Sequence, residues 1–300
     1  MLKKIFNLIR LIQSINDRID LLQQGIGRIE NRQLNNLNNS NHIHEFKVYS
    51  QSGEDGIIQW LINNIEIKNN YFIEFGVENY LESNTRFLLL NNYWSGLVID
   101  GDINNINFIK QDPIYWRCNL KAIHAFITKD NINDLFISNN VPNDVGILSI
   151  DIDGNDYWVL EAINTISPSI IVAEYNSYFG SDHKVTIPYD ESFIRSDAHY
   201  SKIYYGASIS AFVLLLNGRG YKLVASNLSG NNVFFVREDL LNSVVREITI
   251  NNAYRRINFR EVHDLNGKLC YYDFFESKKI INHLNVYDLE SNSLIPIKNL

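Results

Sequence analysis

From Phe46 onward, short apolar runs alternate with amphipathic stretches, and polar or glycine-containing turns separate them. The periods predict a helix over 56–65, a strand over 71–75, a helix over 83–90 and a strand over 96–99. Between 103 and 143 they predict helices at 104–110 and 122–136, with a short strand near 115–118. Two more apolar strands, 146–150 and 170–172, flank a helix at 157–163. A polar loop then spans 180–200, followed by a helix over 208–217 that Gly218 and Gly220 close. Residues 221–225 and 232–236, joined by SNLSGN, read as a β-hairpin. Alternation ending in a hairpin predicts an α/β fold, a doubly wound Rossmann-like sheet with an antiparallel last strand. That domain spans 46–239, and residues 240–300, which lack clear alternation, read as a small C-terminal appendage.

The N-terminus follows a different period. Ile5, Ile12, Ile19 and Ile26 recur every seven residues, and Leu8, Ile15, Leu22 and Ile29 recur at the complementary offset. These a/d heptads predict a coiled-coil oligomerisation helix over 1–33, hence a homo-oligomer. Gln33 and Asn36 end the seam, so 34–45 reads as a linker. An amphipathic helix docked on its own domain is the plain alternative. A membrane-surface helix, with Lys3, Lys4 and Arg10 flanking Ile9 and Leu11, is the sharper one. Gly25 and Gly27 each weaken a helix by roughly 1 kcal/mol.

Composition narrows the chemistry. The formal net charge of −7, without a basic stripe, argues against a nucleic-acid partner and for a neutral or cationic small ligand. Cys118 and Cys270, far apart and outside any CxxC, exclude a disulfide framework or thiolate zinc site. No apolar run reaches the roughly 18 residues of a membrane span. The expected location is the cytoplasm, with the inner face of the membrane as the variant that the N-terminal helix suggests.

Candidate chemistry gathers at strand ends, where ligand sites of open α/β sheets lie. Asp151, Asp153 and Asp156 follow the strand at 146–150; Glu174 and Asn176 follow the next. Asp151, Asp153, Glu174 and Asn176 form a hard oxygen set suited to Mg²⁺ or Mn²⁺. Asp151 serves that ion or the cofactor; both roles stay open. Asp156 reads as the N-cap of the helix after it. An EF-hand is excluded because Gly154 is misplaced and Ala162 stands where the bidentate Glu belongs. The turn after the first strand, Glu74-Phe75-Gly76, lacks the further glycines of a dinucleotide site. With Asp100 ending the second strand, it suits a nucleoside without phosphates. S-adenosylmethionine meets those demands: a ribose for Asp100, positive charge near Glu74 and Asp151, and a carboxylate for the helix start at Asn84 and Thr85. His183, in the polar loop, is the expected general base beside Asp153, ahead of His124, His199 and His263. Tyr189, Asp190 and Tyr205 are expected to shape the acceptor pocket.

Several segments then resemble a known family. SQSGEDG (50–56), FIEFGVEN (72–79), ESNT (82–85), GLVIDGD (96–102), LSIDIDGNDYWVLEAI (148–163), IIVAEYN (170–176), VTIPYD (185–190), YYGASISA (204–211) and GYKLVASNLSGNNVFFVRED (220–239) occur in an order that resembles the FkbM-like class I S-adenosylmethionine-dependent methyltransferases. These are often encoded with capsule or lipopolysaccharide sugar genes. The resemblance covers about 49–240. It implies methyl transfer to a sugar oxygen, in a nucleotide-activated sugar or surface-polysaccharide precursor. It also implies a cofactor held by Glu74, Gly76, Asn84, Thr85 and Asp100, with Gln51 near the methionine end. Two rivals stand beside it: a glycosyltransferase using Asp151-Ile152-Asp153 as a D-x-D motif, and an inactive oligomeric scaffold.

Overall fold

The computed structural model describes residues 2–34 and 44–300. In chain order the strands are β1 (Tyr71–Phe75), β2 (Ser95–Asp100), β3 (Leu120–His124), β4 (Asp144–Ile150), β5 (Ser167–Glu174), β6 (Val185–Thr186), β7 (Tyr221–Ser226), β8 (Asn232–Arg237), β9 (Asn285–Asp288) and β10 (Ser293–Pro296). Seven of them make one sheet in the order β3-β2-β1-β4-β5-β8-β7. β1 to β5 pair in parallel, and β8 runs antiparallel to both β5 and β7. This is the expected doubly wound sheet with its last strand reversed.

Both faces of the sheet are covered, which is why its strands read as continuous apolar runs. The period of two divides them between two cores. Ile73, Phe75, Leu97, Ile99, Ile171 and Ala173 enter one core; Phe72, Val98, Ile170 and Val172 enter the other. Polar groups leaving the strand tips are therefore held on a packed floor.

The third strand was misplaced by the periods. Ala122 lies in β3 and not in a helix, and the following helix covers only Ile132–Ser138. β3 is an edge strand with Leu120 and Ala122 buried and Lys121 exposed, and its short alternation merges into the next amphipathic stretch. Tyr115 falls in the helix Pro113–Arg117, not a strand: Pro113 opens it, and the Asp112 side chain accepts from Ile114 N at 3.0 Å. Asp156 is the first residue of its helix, Asp156–Ala162, with Asn155 at the N-cap.

Residues 240–300 share a core with the 180–200 loop. β9 pairs with β6 on one side and β10 on the other. Tyr178, Phe179, Ile187, Ile257, Val286 and Ile297 pack beneath that small sheet. The N-terminal helix runs Leu2–Leu34. The heptad positions Ile12, Ile15, Ile19, Leu22, Ile26 and Ile29 are between 46% and 67% exposed, while Ile5 and Leu8 have side chains outside the described set. A different face docks on the domain. Gln24 Nε2 donates to Tyr49 Oη at 3.0 Å, and Asn31 Nδ2 to Gln59 Oε1 at 2.8 Å. Gly27 is buried where a Cβ would stand 2.4 Å from Val48 Cγ2. The linker expected at 34–45 falls largely outside the described residues; at its end His44 is buried, stacked on Trp60 at 4.5 Å.

Candidate cofactor and acceptor site

The ends of β1, β2, β4 and β5 open into one elongated cleft. At its centre Gly76 has φ +65°, and a Cβ there would lie 1.6 Å from the Asp151 carbonyl oxygen. Only glycine lets the β1 and β4 loops meet. Glu74, 5% exposed, accepts from Asn84 N at 2.8 Å, from Thr85 N at 3.1 Å and from Thr85 Oγ1. The helix start expected to receive a methionine carboxylate is thus already occupied by Glu74. Thr85 is wholly buried behind it, while Asn84 and Glu74 line the cleft. Burial pushes the Glu74 carboxyl up to about 7 against the pull of these hydrogen bonds, and nearby Asp55 adds to the rise. Of the SQSGEDG segment, Gln51 lines the cleft and accepts from Asn231 Nδ2 at 3.2 Å. Asp55 instead receives the Val48, Tyr49 and Ser50 amides.

Asp100 sits at the tip of β2, where Oδ2 accepts from Glu78 N at 2.7 Å and Oδ1 from Asp102 N and Asn105 Nδ2. A carboxylate has about four acceptor positions, so capacity for one more donor is left on it. Beside it Ile99, Ala125, Phe126, Ile127 and Phe193 line an apolar slot of ≈ 210 Å³. This slot shares Gly76, Glu78, Asp151 and Asp153 with a polar chamber of ≈ 270 Å³. The chamber carries the carboxylates of Glu74, Glu78, Glu82, Asp151, Asp153 and Glu174, and among the described residues Arg195 is the one cationic side chain on its lining.

Asp151, Asp153 and Glu174 each place a carboxylate oxygen within 4.8 Å of the others, a spacing that suits a divalent cation. Asp156 shapes the loop that does this: its carboxylate accepts from Ile152 N at 2.8 Å and Gly154 N at 2.9 Å. Asp153 is held at φ +56°. Burial raises Asp151 and Glu174 well above the usual carboxylate range; Asp153 adds to the rise at Asp151, as Asp151 does at Glu174. Glu174 Oε2 is buried without a hydrogen-bond partner. Such an orphan oxygen is costly unless a ligand or proton satisfies it. Arg195 closes one side of the trio. It pairs with Asp153 through Nη1 and with Glu261 through Nη2 at 2.5 Å, and lies 3.7 Å over the Tyr205 ring. Burial pulls the Arg195 pKa down, but Tyr205, Glu174, Asp153 and Glu261 outweigh it and raise it, so the guanidinium stays charged.

Other expected residues lie elsewhere. Asn176 is fully buried and structural: its Nδ2 donates to the Ile203 and Tyr205 carbonyls, both at 2.9 Å, and its Oδ1 accepts from Tyr178 N. It stands outside the trio. His183 is exposed beside Asp288, near β6 and β9, and lines none of this cleft, because the loop it leads folds into the small sheet. Tyr189 packs against Trp158 and Lys129. Asp190 folds back to accept from Ser192 N and Oγ in a local turn. Neither lines the cleft. Tyr205 does reach the site from below, its hydroxyl 3.5 Å from Glu174 Oε1. Phe126, Phe193, Arg195 and Glu261 went unrecognised in the sequence. Phe126, Phe193 and Glu261 lie in irregular chain and Arg195 opens the four-residue helix Arg195–Ala198, too short for a period to mark a direction, although the only arginine of the 180–200 loop was a visible signal.

No family model matches the chain, and no curated protein matches it in sequence. Among solved structures it is similar to the N-terminal domain of EvdMO1 with S-adenosylhomocysteine bound, at 10% identity over 70% of this chain and 95% of that one, with a TM-score of 0.42. An O-methyltransferase from Bacillus cereus in complex with S-adenosylhomocysteine gives 11%, 71%, 88% and 0.37. TrmK of M. capricolum in complex with S-adenosylhomocysteine gives 10%, 65%, 73% and 0.36. Likenesses this low leave the function to the chain's own strand order and cleft.

Proposed function

We propose that the chain is an S-adenosylmethionine-dependent O-methyltransferase, assisted by Mg²⁺ or Mn²⁺, acting on a sugar hydroxyl of a nucleotide-activated sugar or surface-glycan precursor. The observation that carries the cofactor is the charge of the chamber: six carboxylates and one arginine line it, at the C-terminal ends of a doubly wound sheet. A sulfonium with an ammonium group is attracted there, and an anionic dinucleotide is repelled. The sugar acceptor rests on the resemblance of the motifs to FkbM-like enzymes. A D-x-D glycosyltransferase would bring a diphosphate into the same lining, where Arg195 is already engaged by Asp153 and Glu261.

When bound, the cofactor supplies an electrophilic methyl group, and a divalent ion acidifies a coordinated hydroxyl. The apolar slot of Phe126, Ile127 and Phe193 takes the adenine, and Asp100 accepts one ribose hydroxyl. Asp151, Asp153 and Glu174 fit the ion, and the orphan Glu174 oxygen is the observation that favours a cation there. Positioning the acceptor hydroxyl beside the methyl group supplies much of the rate. With His183 out of reach, its proton passes to a carboxylate of the chamber that the ion leaves free.

Calorimetry of S-adenosylmethionine and S-adenosylhomocysteine, with and without Mg²⁺ or Mn²⁺, tests this. Binding of both is expected, with Mn²⁺ retained by the wild type and lost in Glu174→Gln by electron paramagnetic resonance. Absence of cofactor binding in every condition sinks the reading.

A further inference from the structure

Beyond Asp153 the cleft widens into a cavity of ≈ 530 Å³, which shares Gln51, Phe126, Ile152, Phe193 and Arg195 with the two chambers. Its far wall comes from the C-terminal segment: Phe259, Glu261 and His263. This wall is pinned at several points. Ile257 N donates to Ser177 Oγ at 3.0 Å, Asn258 N to Ser229 O at 3.1 Å and His263 N to Ser201 O at 3.2 Å. Glu261 is thereby pre-positioned. Its side chain is 13% exposed; Oε2 receives Arg195 Nη2, and Oε1 is buried without a partner.

Glu261 lines the cavity, and a buried carboxylate oxygen without a partner on such a residue calls for a hydrogen-bond donor. Three aromatic side chains, Phe126, Phe193 and Phe259, line the same cavity and present apolar surface to a ring. A pyrophosphate would instead face Asp153 and Glu261, with Arg195 held by both and Lys202 as the one other lysine or arginine among the described lining residues. We propose that Glu261 binds the methyl acceptor, and that the acceptor presents a neutral, hydroxyl-rich ring: one hydroxyl donates to Glu261 Oε1 while the ring's apolar face lies on Phe259, the phenylalanine of this cavity that the adenine slot does not use. This rests on the methyltransferase reading and narrows it to the neutral glycan, away from the nucleotide-activated sugar. Arg195, bridging Glu261 and Asp153, sets the distance between the acceptor's anchor and the reacting end of the cleft.

The test uses the full chain loaded with S-adenosylhomocysteine. Saturation-transfer NMR is recorded with methyl glycosides of neutral hexoses and 6-deoxyhexoses, and with UDP-glucose as the diphosphate-bearing probe. At least one methyl glycoside is expected to give signal with the wild type, to lose it at least tenfold in Glu261→Ala, and to retain an intermediate signal in Glu261→Gln. S-adenosylhomocysteine affinity within twofold of wild type in both variants shows that they are folded. The proposal is overturned if no methyl glycoside binds, if binding is equal in wild type and Glu261→Ala, or if UDP-glucose alone binds. Glycoside binding by a wild type that binds no S-adenosylhomocysteine would fail the methyltransferase reading and leave the Glu261 site standing.

Discussion

Asp55, Glu74 and Asp156 are buried carboxylates that hold loops by accepting backbone amides, and burial pushes them up to about 6, 7 and 6. Their folded-state values lie above their ordinary ones, so in the window between about pH 4 and about pH 7 the folded chain binds more protons than the unfolded one. Unfolding free energy then falls as pH rises through that window. The contribution is fully present below the ordinary carboxylate range and gone above neutrality. Asp151 and Glu174, raised in the same direction, add to the slope. Glu74 alone, moving from 4.5 to about 7, corresponds to about 3 kcal/mol. Calorimetric melting of the cofactor-free protein is therefore expected at higher temperature near pH 5 than near pH 7.5, with a shallower dependence in Glu74→Gln. A rise in stability across the same interval would contradict it. At this scale the strand-end acids were legible, because a strand of known direction fixes where its last residues go. Arg195 and Glu261 were not: they reach Asp153 and each other across 42 and 66 residues of chain, through loops whose paths no period encodes.

Two glycines of the N-terminal helix separate propensity from packing. The sequence assigns both the same cost to helix formation, yet their surroundings differ. A Cβ at Gly25 would meet nothing nearer than Arg28 Nη2 at 3.8 Å, whereas one at Gly27 would sit 2.4 Å from Val48 Cγ2 and 3.0 Å from Phe87 Cζ. Gly25→Ala is expected to stabilise the chain by about 1 kcal/mol. Gly27→Ala should lose that gain to the clash and loosen the helix from its seat. Denaturant unfolding of both variants checks this, and equal stabilisation would show that the helix does not rest on Val48 and Phe87. Elements with two buried faces or a long clean period, β1, β2, β4 and the β7–β8 hairpin, were legible to within a few residues. β3 was not, because an edge strand buries one face and its short alternation resembles the start of the next helix. The pairing of β6 with β9 was hidden by length: β6 has two residues, and its partner lies about a hundred positions away.

At the scale of the whole molecule, the docking of the N-terminal helix leaves another of its faces open to a partner. Gln24, Gly27 and Asn31 turn toward the domain, which leaves Ile12, Ile15, Ile19, Leu22, Ile26 and Ile29 facing outward. A single-chain amphipathic helix would bury its apolar stripe; this one buries a polar and glycine face instead. Spacing at seven residues is that of a left-handed supercoil between like helices. A second copy of the chain is accordingly the expected occupant, through a seam about 50 Å long if the whole helix takes part. The variant Ile15→Ser, Ile19→Ser, Leu22→Ser, Ile26→Ser leaves the docked face intact. It should convert the wild-type oligomer to a monomer in analytical ultracentrifugation, with S-adenosylhomocysteine affinity unchanged. A wild type that is monomeric at micromolar concentration and sediments with anionic vesicles would assign the stripe to a membrane surface instead. A variant that loses cofactor affinity along with its partner would show that assembly supports the cleft, since the seat of the helix includes Phe87, two residues beyond the Thr85 that Glu74 grips.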